Sequence, residues 1–295
     1  MELHIAVLLF GFTAILGALI EISAVSLVAW RVVCAAFIFW AISSWSRITQ
    51  LPRTIIWRMA VIGVIVALHW IGFYGAIKLS NASIALVCLS TTSFFSAFIE
   101  PAILRTRIKW RDVLIGLLII PAMILVVNGV ESVMYAGITV GIVAAVLAAV
   151  FSAWNKKLID GVHPVDMSTI EMTSASLFML PLVYVYQSMD ASSIWLPQGI
   201  DWVYIAVLVL LCTNLAYILS IRALRHLSAF ESVLLINLEP VYGILLAYLI
   251  LDEHEQMSAS FYMGAVLILL VIFGSGWLRR RDLKTEQSAD LPEGV

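Results

Sequence analysis

Charged residues are scarce in this chain: they make up 12% of its 295 residues, against 62% hydrophobic ones. With so few polar groups, a water-soluble globule of this length could not cover its surface. The formal net charge is -2, so the chain also lacks the basic field that attracts nucleic acid. We therefore expect the lipid bilayer to be its solvent, and we exclude nucleic acid as a partner.

Motifs of catalysis and metal binding are absent as well. His254-Glu255 begins like a zinc-protease motif, but Ser258 stands where the second histidine is needed. The sequence contains no G-x-S-x-G, P-loop or dinucleotide fingerprint. The cysteines have no metal-ligand spacing, and we interpret them as small core residues: Cys34, Cys88 and Cys212. We expect neither an enzyme nor a metal or other cofactor.

Long apolar runs are what the sequence has instead. A helix that crosses ~30 Å of hydrocarbon needs ~20 apolar residues, and ten such runs are separated by polar breaks. They are Leu3–Glu21, Ala24–Trp45, Thr54–Ile77, Ala82–Ile103, Trp110–Asn128, Tyr135–Lys157, Val165–Tyr186, Trp202–Ile221, Ala229–Leu251 and Ser258–Trp277. The sequence therefore predicts an all-α polytopic membrane protein with ten transmembrane helices, numbered here from one to ten.

The basic residues are distributed unevenly between the loops. If both termini are cytoplasmic, 15 of the 17 Lys and Arg residues fall on the cytoplasmic side. Of the other two, Lys78 lies on the outer side and Arg31 lies within helix two. Because Lys and Arg are retained in short cytoplasmic loops, this pattern predicts a multi-pass protein with both termini in the cytoplasm. The polar stretch 279–295 is predicted to be a disordered cytoplasmic tail.

The two halves of the chain resemble each other. An offset of 147 residues sets Ala76-Ile-Lys78 over Ala223-Leu-Arg225. Five helices per half is an odd number, so the second copy must enter the membrane from the opposite side. We therefore predict two inverted five-helix repeats, at residues 1–130 and 131–278, with a substrate site between them near the membrane midplane.

Glu239 is the first candidate for a functional residue, because an ionisable group is costly inside the membrane. It lies ten residues after Ala229, which places it about 15 Å into helix nine. Pro240 removes a backbone hydrogen bond beside it, and Asn237 and Tyr242 share this part of the helix. We predict that Glu239, Asn237 and Tyr242 bind substrate and that Glu239 could carry a coupled proton. The alternative is a protonated Glu239 that only joins neighbouring helices.

Three further helices carry polar or aromatic side chains that could line a cavity. The candidates are Ser90, Thr91 and Ser93 in helix four, His69, Trp70 and Tyr74 in helix three, and Asn214 and Tyr217 in helix eight. Serine and threonine often bond to their own helix backbone, and aromatic rings often only pack. A structural role therefore stays open for each of these residues.

Arg31 and Glu171 are two other ionisable residues within the predicted helices. Arg31 lies ~10 Å into helix two, where its guanidinium could bind a carboxylate or phosphate. It could equally reach the headgroups or pair with an acid of helix one or nine, and we favour structural pairing. Glu171 lies within two turns of the predicted inner interface, and we expect water to reach it.

The order of these features resembles the EamA-type branch of the drug/metabolite transporter superfamily, over residues 3–278. The similarity rests on Ala29-Trp-Arg31, on FYGAIKLSNASIAL from Phe73, on Trp154-Asn-Lys-Lys157 and above all on LEPVYGILLAYLILDE from Leu238. The last segment is similar to the end of the family's second repeat, in which an acid follows a proline. In the first half Ser93 replaces that proline and Thr106 replaces that acid, so we expect an asymmetric cavity.

The resemblance implies two inverted repeats around a central cavity lined by helices one, three, four, six, eight and nine. It also implies export of small metabolites, often amino acids, across the bacterial inner membrane. We therefore expect a secondary transporter that works by alternating access, with a small-molecule substrate and the lipid bilayer as partners. Two alternatives stay open: a lipid or lysolipid flippase on the same scaffold, and a membrane scaffold protein that transports nothing. No feature of the sequence indicates or excludes a homodimer.

Overall fold

The regular secondary structure of the protein is helical. The structure, a computed structural model, describes residues 2–190, 193–227, 232, 235–236, 238–253, 257–271 and 273–274. Within these residues there are α-helices, short 3-10 turns and one π-helical segment, and no β-strand. The all-α class that the sequence predicts is thereby confirmed.

Eight helices in the described ranges are long and apolar enough to cross a membrane. They are α1 Glu2–Leu19, α2 Ala24–Ile42, α3 Arg53–Leu79, α4 Ala82–Leu104, α5 Trp110–Asn128, α6 Tyr135–Leu158, α7 Pro164–Met189 and α8 Asp201–Ala223. Each begins and ends within three residues of its predicted bounds.

Two shorter apolar helices follow, α9 Glu239–Ile250 and α10 Ala259–Val271. The predicted start of helix nine at Ala229 and the predicted end of helix ten at Trp277 lie outside the described residues. The predicted tail, residues 279–295, lies outside them as well.

Polar residues and a proline mark the starts of several helices. Ser23 and Asn81 are N-caps, since their side chains accept hydrogen bonds from the backbone N–H groups of Ser26 and Ile84. Pro164 opens α7, at a position where the missing N–H would have no partner within the helix. These residues start each helix at a defined point, so connections of a few residues are enough to reverse the chain.

Two of the long helices are interrupted. In α4, the segments Ala82–Ser90 and Thr92–Leu104 join at Thr91. In α8, the segment Leu210–Leu215 is π-helical. Such interruptions leave backbone carbonyl groups available to side chains, and π-helical turns are frequent at functional sites. Both are also places where a helix axis can change direction.

The helix α3 is central to the fold and packs against α2, α6 and α7. Its contact with α7 is closest at Gly63, where a Cβ atom would lie 2.1 Å from the carbonyl oxygen of Glu171. Only glycine allows two helix backbones to approach this closely. The helix α1 packs against α8 and α9. Among the cysteines, Cys88 and Cys212 are buried and Cys34 is half-buried, which fits small core residues.

Basic side chains gather at one end of the helices, which we call the basic end. Arg47 forms a salt bridge with Asp166 at 2.6 Å, and Arg222 forms one with Glu2 at 2.9 Å. Carbonyl oxygens in the last turn of a helix or just after its end accept hydrogen bonds from three further cations, Lys156, Lys157 and Arg225. These contacts join the ends of α4, α6 and α8 to one another, the end of α8 to the start of α1, and the start of α7 to the connection between α2 and α3.

At the opposite end of the helices, which we call the acidic end, most of the ionisable residues are Asp or Glu. The Asp201 carboxylate accepts a hydrogen bond from the backbone N–H of Glu21 at 3.4 Å. Lys78, the basic residue that the sequence places apart from the others, donates to the carbonyl oxygen of Ile20. The separation of charge seen in the sequence is therefore present as two different ends of the helical bundle.

Glu253 connects the end of α9 with the start of α4. Its carboxylate accepts hydrogen bonds from the backbone N–H groups of Ala82 at 2.8 Å and Ser83 at 2.9 Å. These N–H groups belong to the first turn of α4 and have no partner within that helix. A negative charge at a helix N-terminus is also favourable for the helix dipole. Because α4 and α9 come from different halves of the sequence, Glu253 joins the two halves at the acidic end.

We expect Glu253→Gln to lower the melting temperature of the detergent-purified protein, because the amide NH2 group would face a backbone donor. A hydrogen bond to a charged group contributes about 1.5–3 kcal/mol. The measurement is thermal unfolding followed by tryptophan fluorescence. Asp252→Asn is the matched control, since it neutralises the exposed neighbouring acid and tolerates the φ of 52° at that position. Equal melting temperatures for the two variants would contradict the capping role.

Candidate functional site

A cavity lies between the helices in the interior of the bundle. It contains about 970 Å³ of empty space, part of which is open to the surroundings. Its lining comes from α1, α3, α4, α6, α8 and the region of α9, the six helices expected from the sequence, and in addition from Arg31 of α2. The lining is mainly apolar and aromatic with a few polar groups, as is usual in sites for small molecules.

Arg31 is the buried cation of this cavity, with an exposed fraction of 1%. Its Nε donates to the Thr213 hydroxyl at 2.7 Å, and its terminal nitrogens donate to the Tyr74 hydroxyl at 2.7 Å and the Cys212 carbonyl oxygen at 3.2 Å. Its Cζ also lies 3.8 Å from the centroid of the Trp70 ring, a cation–π contact. Three of the five guanidinium N–H groups are thus committed to fixed, neutral partners.

The π-helical segment of α8 supplies two of these partners. Cys212 and Thr213 lie inside Leu210–Leu215, and the Thr213 hydroxyl donates to the carbonyl oxygen of Leu208, five residues earlier, at 2.8 Å. A regular α-helix would use the Cys212 carbonyl in its own ladder of hydrogen bonds. Arg31 donates to that carbonyl, so the guanidinium is in direct contact with the π-helical turn of α8.

Glu239 is the acid of the cavity. It is the first residue of α9, it lines the cavity, and its exposed fraction is 6%. No salt bridge joins it to Arg31, and its carboxyl group has no hydrogen-bond partner among the described residues. Arg31 has the structural role that we favoured, but its close partners are hydroxyl and carbonyl groups, and Glu239 of helix nine interacts with it only as a nearby charge. The cavity presents a cation and an acid that are not joined to each other.

Aromatic rings form one wall of the cavity. The Trp70 and Tyr217 rings meet edge to face with centroids 6.2 Å apart, and the His69 and Phe151 rings do so at 5.3 Å. The Nδ1 of His69 lies 2.8 Å from the carbonyl oxygen of Ala144, so this nitrogen carries the proton that the bond requires. The three candidates His69, Trp70 and Tyr217 thus all line the cavity.

Tyr217 connects the cavity wall with a buried acid of α7. Its hydroxyl donates to Oε2 of the Glu171 carboxyl group. The exposed fraction of Glu171 is 0%, and its Oε1 has no hydrogen-bond partner in the described part of the chain. The expectation that water reaches Glu171 was wrong, because α7 packs directly on α3 at Gly63 and Tyr217 lies between the acid and the cavity.

Three other candidates lie away from the cavity. Tyr74 is fully buried and accepts the hydrogen bond from Arg31. Asn214 donates to the carbonyl oxygen of Ala35 at 3.2 Å, and Tyr242 packs against α1. Spacing along a helix did not identify these positions correctly, because a neighbouring helix occupies the side to which each side chain points. For Tyr242, a separation of three residues rotates the side chain by roughly 60° from a cavity-facing residue.

The hydroxyl groups of helix four mainly bond to their own backbone. Those of Ser90, Thr91 and Ser93 donate to carbonyl oxygens three residues earlier at 2.6, 2.6 and 3.1 Å. None of the three lines the cavity, whereas Thr92, which was not a candidate, does. The structural alternative considered for this run is therefore the one that the geometry favours.

The remaining candidate, Asn237, lies outside the described residues. Sequence reasoning missed the small polar residues in the lining, which are Thr13, Thr92, Ser152, Asn155, Ser220 and Ser232. A single hydroxyl in an apolar helix gives the same signal whether it faces a cavity or its own backbone. Asn155 could have been found, since its amide is unusual within an apolar span and precedes two lysines.

The fold and the cavity define a multi-pass helical membrane protein with a polar site in its interior. The EamA-like transporter family matches residues 3–128 and 135–277. The chain therefore belongs to the EamA-like transporter family, and the resemblance noted in the sequence is confirmed. Members of this family are transporters and not enzymes, which agrees with the expectation from the motifs.

Individual proteins that are similar to this chain have low sequence identity to it. An uncharacterized transporter of Synechocystis sp. is 21% identical over 221 residues, which cover 72% of this chain and 65% of that protein. The chain thus spans less than two thirds of the length of this relative. One solved crystal structure has the same fold, with a TM-score of 0.67 and 16% identity over 95% of this chain and 96% of that chain.

We expect Arg31→Lys to destabilise the protein more than Tyr74→Phe. The lysine keeps the charge but cannot reach three partners in fork geometry, whereas Tyr74→Phe removes one acceptor only. Each lost hydrogen bond to the guanidinium corresponds to about 1.5–3 kcal/mol. Thermal unfolding of the two purified variants beside the unaltered protein measures the difference. If Arg31→Lys had the same melting temperature as the unaltered protein, the three hydrogen bonds would not be needed to hold α2, α3 and α8 together.

Proposed function

We propose that the chain is a secondary transporter that exports small zwitterionic metabolites, such as amino acids, through the central cavity. The observation that carries this proposal is the presence of Arg31 and Glu239 in one cavity without a salt bridge between them. The membership in the EamA-like transporter family supports transport as the activity.

The chemistry of the cavity fits such a substrate. Two guanidinium N–H groups of Arg31 have no partner among the residues that the structure describes and are suited to a carboxylate. The Glu239 carboxyl group is suited to an ammonium group, and Trp70 and Phe73 offer apolar area to a side chain. A substrate of opposite charges and modest size would use all of these groups together.

Alternating access between two inverted five-helix repeats is the mechanism that we propose. The repeats would be residues 1–130 and 131–278, each with five transmembrane helices, which makes ten in all. Two separate matches to the family, at residues 3–128 and 135–277, support a chain of two related halves. The cavity receives residues from both halves, as expected of a site at a repeat interface.

The proposed location is the bacterial inner membrane with both termini in the cytoplasm. The gathering of Arg47, Arg222, Lys156 and Arg225 at one end of the bundle supports this orientation, because basic residues are retained on the cytoplasmic side. The basic end would then face the cytoplasm, and the acidic end would face the periplasm.

Cysteine labelling of intact cells tests this orientation. We expect a membrane-impermeant maleimide to label a cysteine placed at the exposed Ser132 near the acidic end, and not one placed at the exposed Thr106 near the basic end. Permeabilised cells, in which both positions should react, provide the control for accessibility. The protein with only its native cysteines measures the background. Labelling of Thr106→Cys alone in intact cells would reverse the proposed orientation.

A transport screen tests the function. The full chain is expressed in cells that lack their own exporters, and efflux is measured for a panel of amino acids and related metabolites. Compounds that pass are tested with the purified protein in proteoliposomes. We expect at least one zwitterionic compound to be transported, and Glu239→Gln to weaken its binding about tenfold, which corresponds to ~1.4 kcal/mol.

The matched control for this variant is Glu131→Gln, which removes an exposed acid outside the cavity. Glu239 would also carry the coupled proton, so transport by Glu239→Gln should no longer respond to a pH gradient. If the variant responded to the gradient as the unaltered protein does, the proton role of Glu239 would be lost. If no zwitterion were transported, the proposed substrate class would be wrong.

A lipid or lysolipid flippase is the second candidate function. An apolar groove between α4, α5 and α6 favours it, because the groove is lined by Phe94, Phe95 and Ile119 and could hold an acyl chain. Translocation of a fluorescent lysolipid in the same proteoliposomes distinguishes this function from metabolite export. A scaffold protein would show neither activity.

A further inference from the structure

Glu171 has no charged partner, although it is the most deeply buried acid among the described residues at an exposed fraction of 0%. One of its carboxyl oxygens accepts the Tyr217 hydroxyl, and the other, Oε1, has no hydrogen-bond partner in the part of the chain that the structure describes. An ionised carboxylate without a cation is strongly unfavourable in a dry interior. The position therefore favours a carboxyl group that carries a proton or binds a cation.

Asn155 of α6 adds a second unpartnered oxygen. Its side chain interacts with both Glu171 and Tyr217, and its Oδ1 is buried without a hydrogen-bond partner within the described ranges. The exposed fraction of Asn155 is 2%, and the residue lines the cavity. Glu171, Asn155 and Tyr217 form what we call the α6–α7–α8 cluster. Buried acceptors without donors are rare, and a bound water molecule or ion is a usual reason for them.

The basic groups around the cluster are occupied elsewhere. Arg31 of α2 is bonded to Tyr74, Thr213 and Cys212. Lys156, which follows Asn155 on α6, donates to the carbonyl oxygen of Leu224, and His69 of α3 bonds to that of Ala144. On the remaining elements the ionisable neighbours are acids, Glu239 of α9 and Asp166 at the start of α7, the latter paired with Arg47. No described cation of the protein neutralises Glu171.

The backbone of the cluster at Glu171 is fixed, whereas the Tyr217 side chain on its other side could change position. The backbone of α7 at Glu171 is held against α3 at Gly63, so the acid cannot move away. Tyr217 is placed between the acid and the cavity, with its hydroxyl on Glu171 and its ring against Trp70. A group that binds at Glu171 would compete with the Tyr217 hydroxyl and shift a ring of the cavity wall.

We propose that the α6–α7–α8 cluster binds a small monovalent cation, H⁺ or Na⁺, at Glu171, and that Tyr217 transmits its binding to the cavity. Both ions carry one positive charge and bind to oxygen atoms, which is the chemistry that this site requires. The coupling to transport rests on the proposed function, whereas the binding of the cation does not. Glu171 is a second acidic site, separate from Glu239 and outside the substrate cavity wall.

Binding is tested on the purified full-length protein without any transported substrate. In the sodium arm, thermal unfolding is measured in sodium chloride and in choline chloride, together with binding of radioactive sodium. In the proton arm, the infrared carbonyl stretch of protonated carboxyl groups is recorded over a range of pH. We expect one arm to give a signal that is present in the unaltered protein and in Glu239→Gln and absent in Glu171→Gln. In the proton arm, a carboxyl band that Glu239→Gln loses belongs to Glu239 and is not counted as this signal. The glutamine still offers an oxygen to Tyr217, so this variant is the mildest available.

Asn155→Ala is the second variant, and it leaves the acid in place. In the sodium arm we expect its half-saturating sodium concentration to rise about tenfold, and in the proton arm we expect its carboxyl band to shift in frequency. The proposal is overturned if neither arm gives a signal, if the signal persists in Glu171→Gln, or if Asn155→Ala leaves it unchanged. A chain that binds the cation but moves no metabolite would refute the proposed function alone, and the reverse result would refute this site alone.

Discussion

The arrangement of the interior depends on the contacts that hold the buried guanidinium group of Arg31. A charge placed inside an apolar bundle must be surrounded by oriented dipoles, because neither water nor lipid can compensate it. The protein meets this requirement with a tyrosine hydroxyl from α3, a threonine hydroxyl and a backbone carbonyl from α8, and the face of Trp70. The threonine and the carbonyl both belong to the π-helical turn of α8, which therefore lies directly against the guanidinium.

Holding the cation with neutral groups has a further effect on the cavity. Had Arg31 been joined to Glu239 in a salt bridge, each would have neutralised the other and neither charge would be available to a ligand. Because hydroxyl and carbonyl groups carry out the task, the acid of α9 lies on the cavity wall without a salt bridge to any residue that the structure describes. The structural role expected for Arg31 and a role in binding are therefore compatible in one residue.

The sequence predicted the helices well and the cavity lining only in part. The eight long helices follow from the lengths of the apolar runs and the polar breaks between them. The required length is set by the thickness of the bilayer and does not depend on contacts with other helices. Large or ionisable residues of the lining, such as Glu239, Trp70 and Tyr217, were identified because they are costly or unusual inside a membrane. Ser90, Thr91 and Ser93 were misplaced and Thr92 was missed, because the orientation of a helix about its axis is set by its neighbours. The burial of Glu171 could not be predicted for the same reason, since it depends on the contact of α7 with a glycine of α3.

That glycine contact has a consequence for how the molecule can move. At Gly63 the backbone of α3 lies directly against the Glu171 carbonyl and the Ser174 hydroxyl of α7, so the two helices cannot separate there without opening a void. Because α3 and α7 belong to different halves of the chain, any movement of one proposed repeat against the other would have to keep this contact or break it. The helices whose hydrogen-bond ladders are already interrupted, α4 at Thr91 and α8 at its π-helical turn, are the places where such a movement could be absorbed by bending.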